Sequence, residues 1–540
     1  MAKKLVIIGL DGGTFDIIRP LSAKGKLPFL QGIMQAGVSG VLGSTRPPVT
    51  APAWTSFATG KNPGKHGLFD FQKINASGVM ELTYATDCQS ATIWDYLSDA
   101  GYRVLMVNVP MTFPPKPVNG VCIAGFPVPH NSAYVYPEEK LGWVQSSGYV
   151  DDWTTLMQQR RWQSRFNLLR EVEKIRLEVF GKLLVKEPWD VAMVVISGTD
   201  HISHLEWQKG NRKGVEDYYV YIDNLLNTME EAGLFQNAAM AVMSDHGFAQ
   251  SEYVFFLNLW LMQEGYLSYN IKVNQNVEKF IEERQKIVFG RMGNLSRSLG
   301  KIGLTRENLL FFAKKTGLIR LEKYLPHRFV SLFPVSSPMP NWEKTKVYTV
   351  SSTKGLNINL KGREPHGIVG KDEYKELCLE LVNKLRALRL PDGDEMLEYV
   401  DIKENVYHGP FVERASDIVL WPTKRCNALT GQWGKSQLVK VTNAHHAPDG
   451  IFMFRGDDIK ENYEGKYKLE DLAPTFLHYL ELGCPDDLDG RVAKEIFKPG
   501  SEPARREIKL LKSITDLSRI EAVAVDEESI ASQLKALGYL

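Results

Sequence analysis

Four short segments of this 540-residue chain combine carboxylates with imidazoles or stand where such groups would meet. They are Asp11-Gly12-Gly13, Asp200-His201-Ile202-Ser203-His204, Ser244-Asp245-His246-Gly247 and His445-His446-Ala447-Pro448-Asp449-Gly450. Aspartate neutralises a divalent cation and neutral imidazole supplies nitrogen. Asp11, Asp200, His204, Asp245, His246 and His446 are therefore the materials of a metal centre. Each piece alone has a plainer reading. An Asp-Gly after a strand is usually a turn. Asp200 and His204 stand one helical turn apart, where a hydrogen-bonded pair is the ordinary outcome. Their coincidence at four strand ends is what points to a site, with donors enough for two metals.

A nucleophile stands within reach of the same argument. Arg46-Pro47-Pro48-Val49-Thr50-Ala51-Pro52 reads as a stiff loop entering a helix that stops at Gly60. Thr50 then falls at or just before the helix N-terminus, where backbone N–H groups point outward and the dipole favours anions. A threonine hydroxyl ionised beside a cation could attack phosphorus there, with the Ala51 N–H holding a nonbridging oxygen. The plainer alternative is that Thr50 caps the helix.

The elements that must position these groups are legible in the apolar pattern. Leu5–Leu10, Val104–Val109, Val191–Ile196 and Ala238–Met243 are short Val- and Ile-rich runs ended by Gly, Asp or Ser, as buried strands are. Lys440-Val441-Thr442 ends a further strand. Ser164–Leu184 and Tyr218–Met229 carry apolar residues at helical spacing. Strand–helix alternation predicts an α/β fold with a mainly parallel sheet, and in such sheets sites form outside the carboxyl ends of the strands. From Arg284 to Arg328 there are eleven Lys and Arg against Glu307 and Glu322, on a helix-like apolar pattern. A solvated basic face is the plain reading, and a cap over an anionic substrate or an interfacial helix the sharper one. The expected organisation is a catalytic core over 1–265, a helical insertion or cap over 266–345, the rest of the core over 346–499, and a charged helical C-terminal extension over 500–540.

Composition narrows the function classes. Lys+Arg 65 against Asp+Glu 64 leaves a net charge of +1, so no global charge recruits nucleic acid or acidic membranes. Five widely spaced cysteines without a CxxC argue against a disulfide scaffold or cysteine zinc site and for a reducing compartment. The apolar run after Lys3 and Lys4 is six residues and ends at Asp11, too short for a secretory signal. No apolar stretch reaches the 18 or so residues of a membrane span. A cytoplasmic enzyme with a small-molecule substrate is expected.

In order along the chain, these segments resemble the alkaline phosphatase superfamily, and within it the type I phosphodiesterase/nucleotide pyrophosphatase branch. The matching pieces are Val6-Ile7-Ile8-Gly9-Leu10-Asp11-Gly12, Thr50-Ala51-Pro52-Ala53 with Thr59-Gly60 and His66-Gly67, Asp200 with His204, Ser244-Asp245-His246-Gly247, and His446-Ala447-Pro448-Asp449-Gly450. Leu472-Ala473-Pro474-Thr475 and Asp489-Gly490-Arg491 resemble its C-terminal signature. The resemblance implies an alkaline phosphatase-like three-layer αβα fold. It implies one metal held by Asp200, His204 and His446, and another by Asp11, Asp245 and His246 with Thr50 as further ligand and nucleophile. It also implies in-line attack, a phospho-threonine intermediate and its hydrolysis by water. Zinc is the first expectation for a mixed nitrogen and oxygen set, with manganese the alternative.

Two departures bear on the substrate. Nucleotide pyrophosphatases carry an Asn shortly after the His-Gly, whereas here His66-Gly67 runs into Leu68-Phe69-Asp70-Phe71. The phosphoryl contact is then sought among Lys61, Arg46 and Lys65. Lys354 to Pro365 resembles a segment of predicted phosphohydrolases and phosphomutases of the superfamily, which makes Lys354 and Arg363 further anion-binding candidates. A plain strand over Leu356–Leu360 with a turn explains that stretch equally. Three functions follow: a metal-dependent phosphodiesterase, a phosphomutase or phosphomonoesterase of the cofactor-independent phosphoglycerate mutase type, and a non-catalytic anion-binding protein.

Overall fold

Leu5–Leu10 is buried at all six positions, and its side chains divide between two apolar layers. Val6, Ile8 and Leu10 enter one core, Leu5 and Ile7 the other. A strand with both faces buried belongs inside a parallel sheet covered by helices on either side. The computed structural model describes residues 3–74, 80–129, 132–151, 164–207, 210–269, 340–349, 355–426, 428–430 and 436–515. It shows that sheet.

The strands, in chain order, are β1 (Leu5–Leu10), β2 (Gly37–Gly43), β3 (Val104–Val109), β4 (Gly120–Ala124), β5 (Val135–Tyr136), β6 (Val191–Ile196), β7 (Ala239–Met243), β8 (Gly247–Phe256), β9 (Gly355–Ile358), β10 (Leu397–Ile402), β11 (Ile418–Pro422), β12 (Leu438–Ala447), β13 (Asp449–Arg455) and β14 (Tyr463–Lys468). Nine of them form one sheet in the order β14-β2-β13-β7-β1-β6-β3-β4-β5. β1 pairs in parallel with β6 and β7, and β3 in parallel with β4 and β6. β13 enters antiparallel between β2 and β7. The sheet is therefore mainly parallel, with one reversed strand inside it and a second, β5, at its edge.

The helices that matter are α1 (Phe15–Ala23), α2 (Pro28–Gln35), α3 (Thr50–Thr59), α4 (Arg165–Lys186), α5 (Gly198–Glu206), α6 (Arg212–Glu231), α7 (Lys371–Arg386) and α8 (Leu469–Tyr479). α1, α2, α4 and α6 cover one face of the sheet; α3 and α8 cover the other. This is a three-layer αβα arrangement. The four predicted core strands are present, the fourth beginning at Ala239. Both predicted helices run past their predicted C-terminal ends, to Lys186 and Glu231, and α6 starts earlier, at Arg212, adding the buried Val215.

A third apolar core lies beside the sheet. The strand Val347–Tyr348 continues into β9, β11 and β10 in that order, and α7 buries Leu377, Leu381 and Leu385 with Ile358 and Leu420. The strand expected over Leu356–Leu360 is β9. The basic run from Arg284 to Arg328 lies outside the described residues, and of the insertion expected over 266–345 only 266–269 and 340–345 are described. Its flanks meet in an isolated antiparallel bridge between Tyr269 and Pro340. Of the C-terminal extension, the part up to residue 515 holds a four-residue helix, Glu502–Arg505, and a strand, Leu510–Leu511, paired with Cys484–Pro485. No helix among the described residues is long and apolar enough to cross a membrane.

Candidate active site

All but one of the metal-ligand candidates sit where a strand hands over to the next element. Asp11 follows β1. Asp245 and His246 occupy the link from β7 to β8. Asp200 and His204 lie on α5, entered directly from β6. His446 differs from expectation. It lies within β12, opposite Phe248 of β8, because the antiparallel pairing runs on as far as Ala447. β1, β6 and β7 are adjacent, so their ends bring residues about 190 and 235 positions apart in the chain to one place.

Two donor groups result. Asp200, His204 and His446 offer one atom each, all within 4.8 Å of one another; so do Asp11, Asp200 and His246. His446 Nε2 and His204 Nε2 lie 3.2 and 3.4 Å from Asp200 Oδ1 and 2.8 Å from each other. Around His246 Nε2 stand Asp245 Oδ2 at 3.2 Å, Asp11 Oδ1 at 3.9 Å and Thr50 Oγ1 at 3.3 Å. The rings of His246 and His446 stack with centroids 3.8 Å apart, which joins the two groups into one site.

The imidazoles are oriented from behind. His446 Nδ1 donates to Pro48 O at 3.0 Å, and His246 Nδ1 donates to Gly247 O at 3.0 Å. A carbonyl only accepts, so a proton sits on Nδ1, and in the neutral ring Nε2 carries a lone pair into the site. This is the arrangement a metal-bound histidine requires. The carboxylates are fixed on one oxygen. Gly12 N donates to Asp245 Oδ1 at 3.2 Å, and Trp54 Nε1 to Asp11 Oδ2 at 3.2 Å. Asp11 Oδ1, Asp245 Oδ2 and Asp200 Oδ1 are buried without a hydrogen-bond partner.

The electrostatics say what those oxygens face. Burial, with Asp245 and Asp200 close by, holds the Asp11 carboxyl well above the usual carboxylate range. Burial pushes Asp245 up to about 6. Burial acts on Asp200 in the same sense, but His204 and His446 outweigh it and hold that group well below its ordinary value. Burial keeps His246 neutral, pushed down to about 4. A cluster of buried carboxylates whose free oxygens converge with neutral imidazole nitrogens calls for positive charge between them. The residues fit divalent cations.

Thr50 is the first residue of α3 and is 3% exposed. Val49 is the N-cap, so Thr50 does not cap the helix; its hydroxyl turns to His246 instead. Ala51 is the second residue of α3, where helix N–H groups have no partner within the helix. Pro52 and Gly60 take the predicted first-turn and C-cap places. Trp54 is the contributor that motif reading missed. It stands one turn beyond Thr50, on the same helix face, and this spacing is the signal that could have found it. Its indole lies over Gly9, where a Cβ would fall 2.6 Å from the ring, so β1 needs glycine there to let the indole reach Asp11.

The basic candidates are not gathered with the ligands. Lys61 is buried and paired with Asp487, and Lys65 with Asp489. Asp489 also accepts from Asn62 N and Asn62 Nδ2, each at 2.7 Å, and from His408 at 2.8 Å. Against the opposing effect of burial, these donors hold Asp489 down to about 2. The Asp489-Gly490-Arg491 segment thus anchors the loop after α3. Arg363 is committed to Asp417 through Nη1 and Nη2 at 2.6 Å, to Glu364 and to the Ile358 carbonyl, beside the third core. With four of its five N–H groups engaged there, it does not fit the substrate-binding role expected of it. Arg46 is exposed, with its guanidinium over the ring of Tyr399 at 4.7 Å. Lys354 lies outside the described residues.

Comparison with known proteins adds the following. The family model for type I phosphodiesterase / nucleotide pyrophosphatase matches residues 5–449. No curated protein sequence matches the chain significantly. Among solved structures, human ectonucleotide pyrophosphatase / phosphodiesterase 5 is similar at 12% identity and a TM-score of 0.51, over 92% of this chain and 100% of that one. Phosphonoacetate hydrolase from Sinorhizobium meliloti, in complex with phosphonoformate, is similar at 15% identity and 0.51, over 87% and 94%. A mutant of the alkaline phosphatase PafA is similar at 13% identity and 0.53, over 92% and 100%. These likenesses agree on an alkaline phosphatase-like fold.

Proposed function

The chain belongs to the type I phosphodiesterase / nucleotide pyrophosphatase family of phosphate-ester hydrolases, and from that premise we propose that it is a two-metal phosphodiesterase with Thr50 as nucleophile. The observation that carries this reading is the position of Thr50. Its hydroxyl opens α3, does not cap it, and meets His246 at 3.3 Å beside two donor groups that share Asp200. Asp200, His204 and His446 would hold one divalent cation, and Asp11, Asp245 and His246, with Thr50, the other. Zinc suits the mixed nitrogen and oxygen donors, and manganese is the alternative. Bound there, two cations supply charge neutralisation, an ionised hydroxyl at neutral pH and a clamp on the attacking and leaving oxygens.

The chain's own residues supply the rest. The Oγ–P bond forms as the ester P–O bond opposite it breaks, and the leaving oxygen departs on the far side from Thr50. The Ala51 N–H, at the positive end of α3, holds a nonbridging oxygen. Water then cleaves the Oγ–P bond of the phospho-threonine, whose phosphorus still carries the second ester group, restoring the hydroxyl and releasing a phosphomonoester. Pro48 and Gly247 carbonyls keep the imidazoles in the tautomer that binds cations. The substrate is a small-molecule phosphate ester. The five free, buried cysteines support a reducing, cytoplasmic setting.

A phosphomonoesterase or phosphomutase is the second reading. It is kept open by the missing Asn after His66-Gly67, which in nucleotide pyrophosphatases contacts the phosphoryl oxygen and whose absence argues against nucleotide specificity. The test is metal content by elemental analysis with turnover of bis-p-nitrophenyl phosphate and p-nitrophenyl phosphate. About two ions per chain and faster diester turnover support the phosphodiesterase. Monoester turnover alone shifts the reading to the second, and protein that takes up no divalent cation defeats both.

A further inference from the structure

The helix that carries Asp200 and His204 begins on a buried charge. Glu173 of α4 is 1% exposed, and Arg176, one turn further on, is 3% exposed. Glu173 Oε1 accepts from Gly198 N at 2.9 Å and from Ser197 Oγ at 3.2 Å. Arg176 Nη1 donates to Ser197 Oγ at 3.0 Å and lies 3.4 Å from Glu173 Oε1. Its other nitrogens bond the carbonyls of Val150 and Asp151 at 3.1 and 3.3 Å. A Cβ on Gly198 would fall 1.8 Å from Tyr218 Oη and 3.0 Å from Glu173 Cγ, so the first turn of α5 rests directly on α4 and α6.

Stability is a poor explanation for this pair. Removing two charges from water costs about as much as their attraction returns, and apolar replacements of equal volume are often neutral or better. Glu173 also keeps Oε2 buried with no hydrogen-bond partner, and burial raises its pKa. What the carboxylate does achieve is location. It fixes residue 198, two before Asp200 and six before His204, and its charge faces the positive end of α5. Both side chains project from that helix toward His446, where the distances of 3.2 and 2.8 Å leave little tolerance for a shift of the helix.

We infer that Glu173, held by Arg176, is a positioning residue that sets Asp200 and His204 for the cation shared with His446. The inference rests on the reading of those three residues as ligands. The experiment is chelator competition on the full-length protein, which resolves the affinity of each of two bound zinc ions. It is made for wild type, Glu173→Gln, Ser197→Ala, His204→Ala, Asp200→Asn and the double variant of Glu173→Gln with His204→Ala. The isosteric Gln keeps volume and removes charge. Glu173→Gln is expected to weaken one ion about 10- to 100-fold and leave the other within about threefold. In the His204→Ala background, where that ion is already lost, Glu173→Gln should change metal affinity no further while still shifting the unfolding midpoint. Ser197→Ala removes one bond to Glu173 and should weaken the same ion by less. It decides the matter if Glu173→Gln does not fold. Wild-type affinity for both ions in the variant, or equal weakening of both, overturns the inference. If Asp200→Asn still binds two ions at wild-type affinity, the ligand reading beneath it fails instead.

Discussion

Thr50 Oγ1 and His246 Nε2 lie 3.3 Å apart, although 196 residues separate them in the chain. The contact joins the first residue of α3 to the link between β7 and β8, and it sets the hydroxyl among groups whose buried oxygens and lone pairs all face inward. A threonine whose hydroxyl caps its own helix, or one packed only for its methyl group, would not need that company.

Thr50→Ala should therefore abolish turnover without disturbing the fold. A lost nucleophile costs on the order of 10⁴-fold or more in kcat, whereas removing a hydroxyl that does not cap the helix should shift the unfolding midpoint by only a few degrees. Thr50→Ser should retain measurable turnover, since the attacking atom survives. Single-turnover kinetics with bis-p-nitrophenyl phosphate, beside thermal unfolding, separate the two effects. Turnover of Thr50→Ala within tenfold of wild type would remove Thr50 from the chemistry.

The candidate metal ligands are legible because Asp and His at strand ends are rare enough together to carry information, and Thr50 because proline and glycine frame its helix. Three things are not. The tautomer-fixing partners of His246 and His446 are main-chain carbonyls, of Gly247 and Pro48, and any residue type supplies one. The partners of Lys61 and Lys65 come from Asp487 and Asp489, more than 420 positions away, and no local pattern distinguishes a paired lysine from one that awaits an anion. β12 runs further than its apolar residues suggest because Asn443 and His445 alternate with the inward Ala444 and His446 on a strand with one partly open face. Backbone pairing set that boundary, and hydropathy does not record it.

Asp200 belongs to both donor groups, while His446 and His204 belong to one. Asp200→Asn should thus remove the ion it would hold with His204 and His446 and weaken the other by less, and His446→Ala or His204→Ala should remove that one ion only. Elemental analysis after dialysis should give about one ion per chain for each, with affinity at the damaged position reduced about 100-fold or more. No ion left in any of the three variants would mean that the two groups bind as one unit. Chelator treatment of wild type should abolish turnover, and zinc or manganese should restore it.

Lys61 is the basic residue nearest the nucleophile helix in sequence, yet its ammonium is buried against Asp487. Lys61→Met should lower stability by about 1–2 kcal/mol, because the side chain of Asp487 is 41% exposed and stays solvated when its partner is removed. KM for p-nitrophenyl esters should stay within about threefold of wild type. A large rise in KM with an unchanged unfolding midpoint would return Lys61 to the substrate.

The loop after α3 also sets an acid limit. His66 is fully buried; Leu68 N donates to its Nδ1 at 3.2 Å, so its proton sits on Nε2 and faces Ser56 Oγ at 3.0 Å. Protonation would break the Leu68 bond and bury a charge, and burial, opposed by Asp489 and aided by Lys61, pushes the group down to about 3. Unfolded histidine titrates near 6.5, so between these values the unfolded chain binds the extra proton and stability rises with pH. The contribution is complete above pH 6.5 and declines as the pH falls toward 3. His66→Gln has no such titration. The stability difference between wild type and His66→Gln, from urea unfolding, should shift against wild type by about 2–3 kcal/mol between pH 6.5 and 4.5. A difference that is flat across this range would show that His66 is not held neutral by burial.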